Sequence, residues 1–322
     1  MKKILLLAIF SLFISSSIFA QDREYSFKEK FEVGSSAELS IRTSDGFIDV
    51  LPSDGNTIEV FFIVKKKNHL LDISRSELER ELELKIHQHG NHLEISVRHH
   101  RNNGWMNWKN RINVSFEVYV PVKTMCDLRS SDGNIYLSDL EGNQNCKTSD
   151  GNIKVTNIGG SLIARTSDGD VSVKNIDGRA ELKTSDGNIT ADRILGDSDF
   201  VTSDGDVDLF DVSGATYAHT SDGNIKFKDM RGSMNARTSD GNITGNFTQL
   251  NGNVKLGTSD GSIRLTLPEG LGLELKLRGE RIETSLRNFS GSHSKRSIKG
   301  TIGNGEFLID MSTSDGKIVL DY

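Results

Sequence analysis

The tripeptide Ser-Asp-Gly recurs with its aspartate at Asp132, Asp150, Asp168, Asp186, Asp204, Asp222 and Asp240, a step of 18 residues each time. Asp260 follows after 20 residues, with an insertion assigned to 246–250. Asp45, Asp54 and Asp315 carry the same tripeptide near the two ends. A fixed period of this length is the mark of a repeat architecture, in which no unit can bury its apolar face alone.

Within one unit, residues 151–168, alternation gives two short strands. Ile153 and Val155 share a face, and Ile158 returns inward before Gly159-Gly160. Leu162, Ala164 and Thr166 then share a face. The next unit places Val171, Val173, Ile176, Ala180, Leu182 and Thr184 at the same positions. Period two buries one side and leaves the other wet. Stacked units set each position above itself at about 4.8 Å, so eight rungs make a rod of roughly 35–40 Å. The expected class is therefore all-β: a β-solenoid of 18-residue, two-strand rungs. An antiparallel meander would also use Asp-Gly turns. The parallel stack is favoured because the two corners differ in chemistry yet each repeats faithfully. At the corner, glycine is expected to supply φ > 0. The aspartate is expected to bond the backbone two residues on or to tolerate a left-handed conformation. The preceding threonines, Thr148 to Thr258, should form an inward ladder bonding each other or a turn carbonyl.

The ends are less regular. Residues 1–20 read as a signal peptide, with Lys2 and Lys3 before an apolar stretch and Ala20 before the cut. No cysteine follows the cut, so a lipid anchor is not expected, and no later apolar run would span a bilayer. Residues 21–125 read as a β-rich cap with a short helix near 75–83, opened by a Ser74/Glu77 capping box. Residues 126–265 hold the regular rungs, and 266–322 irregular rungs and a cap. Cys126 and Cys146 fall on neighbouring rungs but diagonally, at the edge of disulfide reach, so a bridge is left open. The net charge of −6 becomes more negative once the leader is gone, which argues against nucleic acid and anionic lipid as partners.

The run Val118-Tyr-Val-Pro-Val-Lys, leading into Ser131-Asp-Gly-Asn-Ile, resembles the bacterial family known as putative adhesins. So do the Thr-Ser-Asp-Gly-Asn/Asp-Ile/Val units and the closing Gly303-Asn-Gly and Thr313-Ser-Asp-Gly-Lys-Ile. The resemblance runs from about residue 31 onward. It implies a β-strand-repeat domain of unknown function, a solenoid exported to the envelope.

Three features could carry chemistry. The carboxylates of Asp132, Asp150, Asp168, Asp186, Asp204, Asp222, Asp240 and Asp260 could line a Ca²⁺-binding edge. The second corner lacks a recurring oxygen before its glycine, which favours solvated turn residues instead. His87, His89 and His92 could offer a Zn²⁺ or Cu²⁺ site, against the plainer reading of a polar hairpin turn. Trp105, Met106 and Trp108, the loop holding the only tryptophans, suit a sugar or protein contact, unless they plug the open end of the rod. No Ser-His-Asp set with a reason to converge and no paired carboxylates on one exposed strand point to an enzyme, and no cofactor is implied. The expected function is an exported, non-catalytic scaffold, an adhesin or envelope interaction protein whose partner is a protein or glycan of the envelope or a cell surface. The alternatives are a periplasmic structural or stress-sensing component, a Ca²⁺-binding roll and, last, a polysaccharide-acting enzyme.

Overall fold

The computed structural model describes residues 24–100 and 111–322. Its strands form two parallel ladders facing each other across one apolar core. In the first, Ile135–Glu141, Ile153–Gly159, Val171–Ile176 and Ile189–Leu195 pair in order and in register. In the second, Lys123–Arg129, Gln144–Lys147, Leu162–Arg165, Ala180–Lys183 and Ser198–Val201 do the same. Ile153, Val171 and Ile189 lie directly above one another and are fully buried. The chain is thus a β-solenoid with parallel rungs. Later strands, Val207–His219, Ile225–Arg237 and Ile243–Gly257, run round the second corner without a break and join the ladders.

The Ser-Asp-Gly corner is held by backbone and threonine. Ser185 and Asp186 N–H both donate to Ser167 O one rung below, at 2.8 and 2.9 Å. Thr184 Oγ1 donates towards Ser167 O (3.0 Å) and Gly169 O (2.9 Å) and accepts from Gly187 N–H (3.3 Å). The pattern repeats from Thr148 to Thr313. The threonine ladder therefore bonds the turn carbonyls of the rung below. The following residue adds a second ladder: Asp170 N–H donates to Asn152 Oδ1 and Asn188 N–H to Asp170 Oδ1, both at 2.8 Å.

Two expectations for this corner fail. Its glycines do not have positive φ. They are required because a Cβ on Gly187 would lie 2.0 Å from Gly169 O; each corner glycine from Gly133 to Gly316 meets the one below in this way, and Gly46 meets Val114 O. Close stacking of backbones, not turn handedness, selects glycine here. The corner aspartates are not left-handed either. The left-handed residues sit at the other corner: Asp139, Asn157, Asn175, Arg193, Asp211 and Asp229, one per rung. Asn and Asp tolerate that region because their short polar side chains bond locally.

The ends interleave. Ser36–Arg42 and Ile48–Ser53, joined by Thr43-Ser-Asp-Gly46, form the first rung in chain order. In space it lies second, between Lys123–Arg129 and His92–His99 on one ladder and between Ile135–Glu141 and Ile112–Pro121 on the other. The last rung, Phe307–Ser312 and Lys317–Asp321, is likewise inserted between its predecessor and the strands Leu273–Arg278 and Arg281–Thr284. Asp45 and Asp315 therefore join the corner column, whereas Asp54 turns the chain from Ile48–Ser53 into Thr57–Lys66. The helix Arg75–Glu81 begins where Ser74 N–H and Oγ donate to Glu77 Oε2 at 2.8 and 2.7 Å, and it buries Leu78. The two-residue insertion lies later than expected. Leu250 still pairs with Gly232, and Val254 pairs with Met234, so the extra residues bulge between Leu250 and Val254.

Three substitutions separate the corner's roles. Gly187→Ala is expected to cost roughly 3 kcal/mol, because the carbonyl it meets belongs to a bonded rung. Thr184→Val should cost about 1–3 kcal/mol by orphaning buried partners. Asp186→Ala, on an exposed side chain, should stay within about 0.5 kcal/mol. Urea unfolding of residues 21–322 measures all three. An Asp186→Ala loss as large as that of Thr184→Val would restore the aspartate as a structural turn residue.

Candidate functional site

The corner column runs from Asp45 through Asp132 to Asp260 and on to Asp315, its backbone joined by successive serine carbonyls. The carboxylates from Asp132 to Asp260 are exposed, one per rung. Calcium needs six to eight oxygens around one point. The nearest additional oxygens are committed: Asn152 Oδ1, Asp170 Oδ1, Asn188 Oδ1 and Asp206 Oδ1 each accept a backbone N–H from the next rung, at 2.7–2.9 Å. Among the described residues, no three His, Cys, Asp or Glu side chains converge as a metal centre would require. This holds for the histidines too. His87, His89 and His92 lie exposed on the hairpin of Leu82–His89 and His92–His99, and His92 Nδ1 faces Glu38 Oε2 at 3.2 Å.

Cys126 and Cys146 are both buried and free. Cys126 pairs with Gln144, which places Cys146 beside Leu128, so the thiols are diagonal and the bridge left open by the sequence is not formed. Burial pushes the Cys146 thiol up to about 12 and Cys126 well above its ordinary value, so neither is a nucleophile. Trp105, Met106 and Trp108 fall outside the described residues. The strands they connect, His92–His99 and Ile112–Pro121, lie beside the Asp45 corner, where His99 Nε2 is 3.2 Å from Asp45 Oδ2.

The second corner carries a ladder that a reading of the residue before each glycine overlooks. It lies three residues before the glycine. Asn157 Nδ2 donates to Asp139 Oδ1 at 2.7 Å, Asn175 Nδ2 to Asn157 Oδ1 at 2.5 Å and Arg193 Nη1 to Asn175 Oδ1 at 2.6 Å. The signal was present as a polar residue at every eighteenth position.

Two open grooves cross the outer faces. One, about 500 Å³, lies on the first ladder between Phe210, Lys228 and Arg264. Lys228 Nζ sits 5.3 Å from the centre of the Phe210 ring. The other, about 590 Å³, lies on the second ladder beside Tyr217, between Arg179 and Lys255. Asp199 Oδ1, Thr216 Oγ1 and His219 Nδ1, on residues next to Tyr217 along or across the ladder, are buried without a hydrogen-bond partner, and Asp199 Oδ2 faces Lys183 Nζ at 3.6 Å. Asp199 pairs with Tyr217 across the ladder, and the His219 ring lies 6.4 Å from the tyrosine ring.

Stacked carboxylates leave a trace in titration. Burial raises the Asp132 carboxyl above its ordinary value, Asp45 and Asp150 on either side add to it, and Arg111 opposes. A carboxyl raised in the folded state costs stability wherever it is ionised. The cost is absent below the unfolded value of about 3.9 and complete above the folded-state value. Asp132→Asn should therefore melt higher than the parent at pH 7, and the two should melt together at about pH 3. A gain that persists in acid would show that charge is not its source.

Comparison with known proteins places this architecture. No curated protein matches the chain. Three crystal structures align along it: a "putative lipid binding protein" from Parabacteroides distasonis (14% identity, 92% of this chain and 96% of that one, TM-score 0.40), a "putative adhesin" from Parabacteroides merdae (14%, 92% and 96%, 0.36) and a "putative adhesin" from Bacteroides fragilis (12%, 91% and 96%, 0.33). The model of the Toastrack DUF4097 family matches residues 36–321, most of the chain. The chain belongs to the Toastrack DUF4097 family.

Proposed function

We propose that the protein is an exported, non-catalytic scaffold of the cell envelope that presents its outer faces to a protein or glycan partner. One observation carries the reading. The solenoid holds large apolar side chains out of otherwise polar faces on a fixed lattice: Tyr136, Leu195, Phe210 and Tyr217 are 36–47% exposed. Exposed aromatics on a rigid, in-register surface are pre-organised for contact, since binding orders little further. The corner threonines and the Asn and Asp ladders are taken up in holding the stack, and the exposed aromatics stand on the faces, so the faces are taken as the recognition surface. The leader at 1–20 is read as the export signal. Trp105, Met106 and Trp108, outside the described residues, are included as candidate contact residues on their chemistry alone.

Mature protein immobilised on beads should retain envelope fragments of the cells that make it, and heat-unfolded protein should not. Equal retention by both would overturn a surface built by the fold. The Trp105→Ala/Trp108→Ala double variant should bind about tenfold more weakly while melting like the parent. Unchanged binding by a folded double variant would remove that loop from the surface. Protease applied to intact cells should digest the protein if the partner lies on another cell.

A further inference from the structure

The 18-residue period breaks once within the regular rungs, and the break opens a trough. The residue after each second-corner glycine faces outward, and this column runs Arg179, Asp197, Ala215, Ser233 along the second ladder. Large polar side chains at 179 and 197 give way to the small Ala215 and Ser233. Directly beyond, the insertion between Leu250 and Val254 bulges, carrying Gly252 and Asn253 to the rim. The result is the groove of about 590 Å³, floored by small residues and walled at both ends.

Its side wall is the neighbouring outward column, Asp199, Tyr217, Asn235 and Lys255. Tyr217 is 37% exposed and stands beside the shallow floor, which leaves its ring open to a flat ligand. Asp199 offers a buried oxygen, Oδ1, with no donor. Such an acceptor is costly unless something supplies a hydrogen bond. Asp197 is anchored by accepting Ala215 N–H at 2.9 Å, and Asn253 by accepting Leu308 N–H at 3.0 Å. The charges of the lining balance, Arg179 and Lys255 against Asp197 and Asp199, and Lys183, outside the lining, reaches Asp199 Oδ2 at 3.6 Å, leaving Oδ1 as the oxygen without a donor.

An aromatic face, planar amide and carboxylate groups at its edges and no net charge suit one chemistry, that of a ring with apolar C–H faces and a rim of hydroxyls. We propose that this trough binds an uncharged pyranose glycan, stacked on Tyr217, with a sugar hydroxyl donating to Asp199 Oδ1. A charged polymer would leave one pair of rim charges opposed, and an apolar peptide would leave Asp199 Oδ1 unsatisfied. The assignment deepens the scaffold reading and rests on it.

The test is titration of ¹⁵N-labelled mature protein with cellohexaose, chitohexaose and mannohexaose. At least one should give saturable amide shifts confined to residues 197–199, 215–217 and 233–235. Tyr217→Ala should weaken that binding about tenfold, whereas Tyr217→Phe keeps the stacking face and should hold it within about twofold. Ser233→Arg fills the floor and should abolish binding; arginine already occupies this column at 179, so the fold should survive, as melting will show. Absence of saturable shifts with all three sugars, saturable shifts elsewhere, or full affinity in folded Tyr217→Ala overturns the trough. If the same protein still retains envelope fragments, the scaffold stands and only the glycan site falls. If it retains none, both fall.

Discussion

The closest constraint in the molecule is glycine on glycine. At each corner from Gly133 to Gly316 the Cα of one rung sits over the glycine carbonyl of the rung below, so near that a Cβ would lie about 2 Å from the oxygen. Two consequences follow from that distance. The residue must be glycine whatever its φ, and it must return over the same point, so the two extra residues between Asp240 and Asp260 are absorbed as a bulge away from this corner. The threonine three residues earlier fastens the same point by bonding both carbonyls below it. Period, threonine ladder and apolar columns are therefore aspects of one contact. The strands are short and could slip; the corner prevents them, much as a two-residue turn sets the register of a hairpin.

A parallel stack ends in open edges, which invite pairing with other chains. Here the first and last rungs in chain order are each tucked one place inward, so that fraying either would require opening a ladder on both sides. The true edges are built differently. Phe27–Glu32 is an antiparallel edge carrying Lys28, Glu29 and Lys30. Leu273–Arg278 is covered by the hairpin Phe289–His293 and Ser297–Ile302, and Ile282 N–H is taken by Lys295 O. Charge, antiparallel pairing and a folded-over hairpin suit an unaggregated rod.

The regular rungs were legible in the sequence because period-two burial and an 18-residue return are both one-dimensional signals. The capping helix was legible for the same reason: Ser74 and Glu77 are close in the chain. Interleaving was not, since it depends on which non-adjacent strands pair, and Ser36–Arg42 carries no mark of the neighbours it will have. The corner glycine was identified for the wrong reason, because handedness is a local property while clearance belongs to the stack. The second-corner ladder went unseen because its residues vary among Asp, Asn and Arg, united only by left-handed φ and mutual bonding. For the candidate site, residue types along the faces were readable, but the trough was not: it needs Ala215, Ser233 and a bulge at 251–253 to become neighbours across three rungs.

A strictly repeating surface has no address, since each rung offers the partner what the last one did. Recognition of one ligand at one place requires the repetition to fail. On the second ladder it fails where small residues replace Arg179 and Asp197 in their column and where two extra residues enter the coil. The same rungs bring Gly245 into a core position filled in neighbouring rungs by Leu209 and Phe227, and the Phe227 ring leans into the space it leaves. Core and surface are thus both rearranged at one level of the rod, and the grooves beside Phe210 and Tyr217 lie there. An inserted pair of residues that only disturbed packing would be expected to bury or solvate its polar groups. Three rungs along the same trough, Asp199 keeps one oxygen, Oδ1, out of water and without a donor, while Oδ2 faces Lys183 Nζ at 3.6 Å. That is the condition of a surface whose last hydrogen bond is made by something else.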